Sequence, residues 1–162
     1  MTRWLAPFIL GVIFAWGPVP AAARPVVTLH LAGTLLEQHN GRMTQRTIEG
    51  LVLKPGDRVR YIISANNSGT SPAIALVPLG PIPKATSYVL GSAHGSGAAQ
   101  FTLDGKTWAA KPELSVKTAS GIVKRPADPS LYRAVRWIAR RSLAPHKNAV
   151  FSYDVRVNGH RA

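Results

Sequence analysis

Apolar side chains in this chain recur at every second position, in runs too short for helices and separated by turn residues. Val27, Leu29 and Leu31 alternate with Thr28, His30 and Ala32, and Val59, Tyr61 and Ile63 alternate with Arg58, Arg60 and Ile62. The clearest run is 149–157, where Phe151, Tyr153, Val155 and Val157 point one way and Ser152, Asp154, Arg156 and Asn158 the other. A two-residue period places one face of each segment on a core and the other in water. Asn40-Gly41, Pro55-Gly56-Asp57, Asn66-Asn67-Ser68-Gly69, Asp104-Gly105 and Pro145-His146-Lys147-Asn148 supply turns between the runs. Seven or more short strands at this spacing predict an all-β antiparallel sandwich. The Gly-, Ser- and Pro-rich stretch 70–99 is expected to carry short strands at 74–78 and 88–90 on long connections.

One stretch competes with this reading. Residues 128–141 could form a basic amphipathic helix, since Leu131, Val135 and Ile138 share a helical face. On that helix Trp137 would fall among Arg133 and Arg141, whereas a strand turns Val135 and Trp137 inward and Arg136 outward. The expectation is one helical turn near 130–134 followed by a strand. Tyr61, Trp137, Phe151 and Tyr153, each at an inward phase, should then meet between the sheets.

The chain opens with Arg3, an apolar run from Trp4 to Trp16, the breakers Gly17, Pro18 and Pro20, and then Ala21-Ala22-Ala23. This is the anatomy of a cleavable secretory signal over 1–23, and the run is too short to span a bilayer. The expected layout is a signal segment at 1–23, an N-terminal strand or extension at 24–49 and a sandwich core at 50–158. It implies export to the periplasm, cell surface or exterior, with no transmembrane anchor after cleavage and no contact with chromosomal nucleic acid.

The residues Pro55-Gly56-Asp57, Val59-Arg60-Tyr61-Ile62, Asn67-Ser68-Gly69 and Pro81-Ile82-Pro83-Lys84-Ala85-Thr86-Ser87-Tyr88-Val89-Leu90-Gly91-Ser92-Ala93 resemble a bacterial family of secreted Ig-like domains. That family is the conserved repeat domain, also called domain of unknown function eleven. The likeness runs on through 101–108, Val135-Arg136-Trp137 and Leu143-Ala144-Pro145, covering about 50–157 in a single copy. It implies an Ig-like sandwich and a structural or adhesive role. The family has no established catalytic residues, so the resemblance assigns none here. Thr102-Leu103-Asp104-Gly105-Lys106-Thr107-Trp108 also resembles the Asp-box hairpin of sialidase-like propellers, one residue short, and is read as a structural turn.

Candidate chemistry is sparse. The chain has 0 Cys, which excludes disulfides, thiolate metal sites and a cysteine nucleophile. His30, His39, His94, His146 and His160 share no metal-ligand spacing, and the carboxylates are too scattered to nominate an acid/base pair. Ser92 lacks a nucleophile elbow, and Gly91–Gly97 lacks the Gly-Lys-Ser/Thr ending of a phosphate cradle, so it reads as a flexible loop. No cofactor, metal or catalytic residue is expected. The Asn66-x-Ser68 triplet is formally a glycosylation acceptor but is read as turn chemistry.

Charge is the feature above background: Lys+Arg 20 against Asp+Glu 7, a net +13, which falls to +12 when Arg3 is removed with the signal. Lys124, Arg125, Arg133, Arg136, Arg140, Arg141, Lys147 and Arg156 are opposed only by Asp128 and Asp154 in their stretch. If Arg136 and Arg156 both leave solvent faces of their strands, these groups join one field that concentrates anionic polymers of the envelope. The leading expectation is an exported, non-enzymatic structural or adhesion module touching such polymers or other surface proteins. Its rivals are a soluble binding protein for a small ligand or metal, with an enclosed polar pocket, and a fibre subunit that exchanges a strand from 24–49.

Overall fold

Ten strands and one 3-10 turn make up residues 23–159, the part described by the computed structural model. The signal reading at 1–23 falls, but for its last residue, outside the described residues, as does His160. In chain order the strands are β1 (Val27–His39), β2 (Arg42–Thr47), β3 (Arg58–Asn67), β4 (Leu79–Pro81) and β5 (Thr86–Tyr88). They continue as β6 (Ala98–Thr102), β7 (Glu113–Thr118), β8 (Gly121–Pro126), β9 (Ala134–Ile138) and β10 (Asn148–Val157). The fold is all-β and every pairing is antiparallel. Among the described residues no helix is long and apolar enough to cross a membrane.

A five-stranded sheet, ordered β2-β1-β3-β10-β5, faces a three-stranded sheet ordered β4-β9-β6. One apolar cluster joins them: Val59, Ile63 and Ala65 of β3, Phe151, Tyr153 and Val155 of β10, and Val135 and Trp137 of β9. Trp137 lies 5.4 Å from Phe151 and 6.1 Å from Tyr153 between ring centroids. Tyr61 stacks on Tyr153 at 5.3 Å but stays half-buried, at the rim of this cluster. The two-residue period explains the layering, because every second residue of β3, β9 and β10 delivers a large apolar group to the same side. Gly80 lets β4 approach closely: a methyl there would collide with the Tyr153 ring, whose hydroxyl donates to the Pro81 carbonyl.

Residues 129–131 form the single helical turn, capped by Asp128 Oδ1, which accepts from Ser130 N–H at 2.8 Å, and β9 follows as a strand. No strand forms at 74–78: Leu76 O and Pro78 O accept from Ala139 N–H at 3.2 Å and Trp137 N–H at 3.1 Å, beyond a bridge from Ala73 to Leu143, and the strand comes later, at β4. The expected strand at 88–90 is displaced to β5, because its register is set by Val155–Val157 of β10. The Gly91–Gly97 stretch is a packed crossover between the sheets. His94 exchanges backbone hydrogen bonds with Ser152 at 2.8 and 2.9 Å, and Gly95 and Gly97 have positive φ where methyls would strike Phe151 and the Ile138 carbonyl.

The N-terminal strand expected within 24–49 is β1, which pairs with β3 from Val27 to Leu36 and is built into the large sheet of its own chain. One feature was not expected. Strands β7 and β8 form a separate hairpin whose side chains are exposed throughout, save Thr118 at its turn.

Candidate polyanion-contact surface

The eight cations expected to form one field are distributed around the molecule. Lys124 and Arg125 lie on β8, on the protruding hairpin. Arg133 precedes β9, with its backbone fixed by hydrogen bonds to Thr102 and Ile82 and its side chain exposed. Arg140 and Arg141 are exposed just after β9, and Lys147 is exposed in the turn before β10. Arg136 and Arg156 both leave the solvent side of their strands, but of different sheets. Val135 and Trp137 point into the core from β9, and Val155 from β10, so the two arginines emerge on opposite outer faces of the sandwich. They do not join one field.

Arg136 is also less free than its sequence context suggests. Its Nε and Nη2 donate to Gln100 Oε1 at 3.0 and 2.9 Å, and its guanidinium lies 4.4 Å from the centroid of the Trp108 ring. Trp108 is placed there by the turn before it. Asp104 Oδ1 accepts from the Lys106 and Thr107 N–H groups at 2.8 Å each, its Oδ2 accepts from the Thr107 hydroxyl, and Thr102 Oγ1 accepts from Gly105 N–H at 2.8 Å. The Thr107 and Lys106 N–H groups, helped by the Thr102 and Thr107 hydroxyls, hold the Asp104 carboxyl far below the usual carboxylate range. The turn is structural, as its sequence implied.

One cationic cluster is assembled from residues far apart in sequence. Arg58 stands opposite Arg156, and Arg60 opposite Asp154, all on the outer face of the large sheet. Asp154 is fully buried there beneath the two guanidiniums. Its Oδ2 accepts from Arg58 Nε and Nη2 at 2.9 and 2.6 Å and from Arg60 Nη2 at 3.0 Å; its Oδ1 accepts from Arg60 Nε at 2.8 Å. Burial pushes the carboxyl upward, but the hydrogen bonds and charges of Arg60 and Arg58 outweigh it and hold the group below its ordinary value. The Asp154 hydrogen bond in turn raises the Arg60 guanidinium. Three guanidiniums against one carboxylate leave this face positive.

Beside Arg156 lies an open cleft of ≈ 810 Å³, with Ser87, Asn158, Ser130 and Gly56 in its walls. A second cavity of ≈ 360 Å³ lies among Phe101, Leu103, Pro112 and Leu114, at the root of the β7–β8 hairpin. Ser92 is buried in a structural role: its hydroxyl donates to the Val89 carbonyl at 2.6 Å and accepts from the Asp154 N–H at 3.0 Å. Among the described residues no three His, Asp or Glu side chains come together as a metal site.

Arg58 and Arg60 were not among the expected contact residues. The signal that finds them is strand phase: they share the outward phase of β3 as Asp154 and Arg156 share that of β10. No protein family, curated protein or solved structure matches this chain.

Proposed function

We propose that this chain is an exported, non-enzymatic Ig-like module of the cell envelope or extracellular surface, working by contact and drawn to anionic polymers by its charge. The Ig-like reading rests on the Pro55-Gly56-Asp57 turn, the β3 and β9 core strands and the packing of two antiparallel sheets. Export rests on Arg3, the apolar run and Ala21-Ala22-Ala23.

The observation that carries the contact reading is the division of labour between inside and outside. The space between the sheets is filled by Trp137, Phe151, Tyr153, Val59 and Ile63, while cations occupy both outer faces, the loops and the hairpin. Cations spread in this way do not make a stereospecific pocket. They make a long-range attraction to anionic polymers, set by Coulomb forces and screened over about 8–10 Å near physiological salt.

The test is a salt titration of binding to lipopolysaccharide and to an acidic glycan. Affinity for both should fall steeply from low to physiological salt, with little preference between them. Lys124→Gln/Arg125→Gln and Arg140→Gln/Arg141→Gln should each weaken binding by a similar factor. Absence of binding at low salt overturns the reading.

A further inference from the structure

The N-terminal half of β1 is an open sheet edge. Val26 O accepts from Ser68 N–H at 2.9 Å and Arg24 O from Thr70 N–H at 3.2 Å, so even-numbered residues here direct their backbone groups toward β3. Gly33 O accepts from Ile48 N–H at 3.2 Å, which confirms that odd-numbered residues face the other way. Strand β2 covers that other side only from Thr34 onward. Among the described residues nothing pairs with the outward N–H and C=O groups of Val27, Leu29 and Leu31.

The same window exposes apolar side chains. Leu29 and Leu31 share the inward phase of Leu35, yet they are 48% and 43% exposed, because no strand of the small sheet extends over them. Natural edges of this kind are usually guarded by lysine, proline or a bulge. Here Val27–Gly33 reads Val-Thr-Leu-His-Leu-Ala-Gly, without a Lys, Arg, Asp or Glu.

A second unpartnered feature lies elsewhere on the chain. The β7–β8 ladder runs one step further at its root, where Ala127 N–H donates to the Pro112 carbonyl at 2.9 Å, and neither strand pairs with a strand of the two larger sheets. Leu114, Val116, Ile122 and Val123 are all exposed on it, Ile122 at 75%. Leu114, Val116 and Val123 fall on one face, because residues directly opposite in the register share a side. Each strand is six residues long and ends in a tight turn.

We propose that the β7–β8 hairpin of one copy docks on the Val27–Ala32 edge of a second copy, extending its large sheet by strand addition. Symmetric pairing of two β1 windows is blocked by β2. Ile48 sits opposite Gly33, in the row that the partner's strand would have to occupy. A protruding hairpin avoids this block, since its strands end within the length of the window. The hairpin and the window are different surfaces, and each copy carries both, so the contact is head-to-tail and builds an open chain of subunits. The inference extends the surface-contact reading by naming one contact, and it does not require that any polymer be bound.

The 0 Cys content makes the test direct. Leu29→Cys and Val116→Cys variants of the whole protein are mixed and treated with a short bismaleimide. The mixture should give a cross-linked dimer containing both variants, and neither variant alone should cross-link. Self-linking of Leu29→Cys overturns the proposal in favour of symmetric pairing. In sedimentation velocity, association should strengthen with added salt, because copies of net +13 repel one another. Polymer binding should weaken with salt, so the two readings fail separately. Leu31→Lys, on the window, and Val116→Lys, on the hairpin, should each weaken association at least tenfold; a Leu29→Pro variant, whose lost N–H faces away from β3, should do the same, with circular dichroism showing that the sheet is kept. A protein that stays monomeric at all salt and protein concentrations, with no mixed cross-link, overturns the proposal.

Discussion

Arg60 stands directly opposite Asp154 across the β3–β10 pair, and together with Arg58 it seals that carboxylate from water on the outer face of the large sheet. A buried charge there is tolerable only because both oxygens are hydrogen-bonded to cations. The group couples the fold to pH. Its carboxyl lies below the unfolded value of about 3.9, so folding favours the ionised form. That stabilisation is fully present above about pH 4 and is lost as pH falls through the folded value.

Asp154→Asn should therefore be destabilised at neutral pH, by about 2–4 kcal/mol, toward the low end because both guanidiniums reach solvent. Its stability should also fall less between pH 5 and 2 than that of the parent. Urea unfolding at several pH values measures both. Equal acid sensitivity in the two proteins would show that other carboxylates set the acid limit.

Trp137 is the largest side chain sealed between the sheets, and its Nε1–H has no hydrogen-bond partner among the described residues. Trp137→Ala should cost about 3–5 kcal/mol, mostly through the cavity it leaves. Trp137→Phe should cost only about 1–2 kcal/mol, since the smaller ring leaves less space and removes an unsatisfied donor. Equilibrium unfolding of both variants checks the difference. Both variants lack the indole N–H, so equal losses would show that the cavity does not set the cost.

Arg136 should behave differently from its basic neighbours. Losing its two bonds to Gln100 and its stack on Trp108 should cost about 1–2 kcal/mol in Arg136→Gln. Arg140→Gln, at an exposed position, should stay within about 0.5 kcal/mol. Thermal melts of the two variants, compared with polymer affinity, separate a structural arginine from a solvated one.

The strands legible in the sequence are those whose own pattern decides their place. In β3, β9 and β10 an alternating run fills a core on one side only, so period and burial coincide. The three-residue strands β4 and β5 are placed by register against β9 and β10, and no local pattern marks them. The β7–β8 hairpin escaped notice because it is wet on both faces: Ile122 and Val123 break the alternation, and Ala119-Ser120 lacks the usual Asn-Gly turn. Leu29 and Leu31 look like half-buried strand residues, but sequence cannot tell that the facing sheet stops short of them. The Arg58–Arg60–Asp154 cluster was hidden for a related reason. Its members are 94 and 96 residues apart, and only the β3–β10 register brings them together.

The crossover from β5 to β6 offers a last test, because two glycines there and nearby have positive φ for different reasons. Gly105, at φ 78°, sits in the open Asp104 turn with nothing close to its missing side chain. Gly105→Ala should cost about 1 kcal/mol, the strain of a left-handed backbone alone. Gly97, at φ 118°, enters β6 against the backbone of β9, and a methyl there would run into the Ile138 carbonyl. A carbonyl in a paired strand cannot swing aside as a flexible side chain can, so collision adds to strain. Gly97→Ala should lose at least about 2 kcal/mol. It should also speed amide exchange in β9, whose contact with the crossover is prised open. If the two alanine variants melt alike and exchange in β9 is unchanged, the crossover is looser than its packing against Ile138 implies.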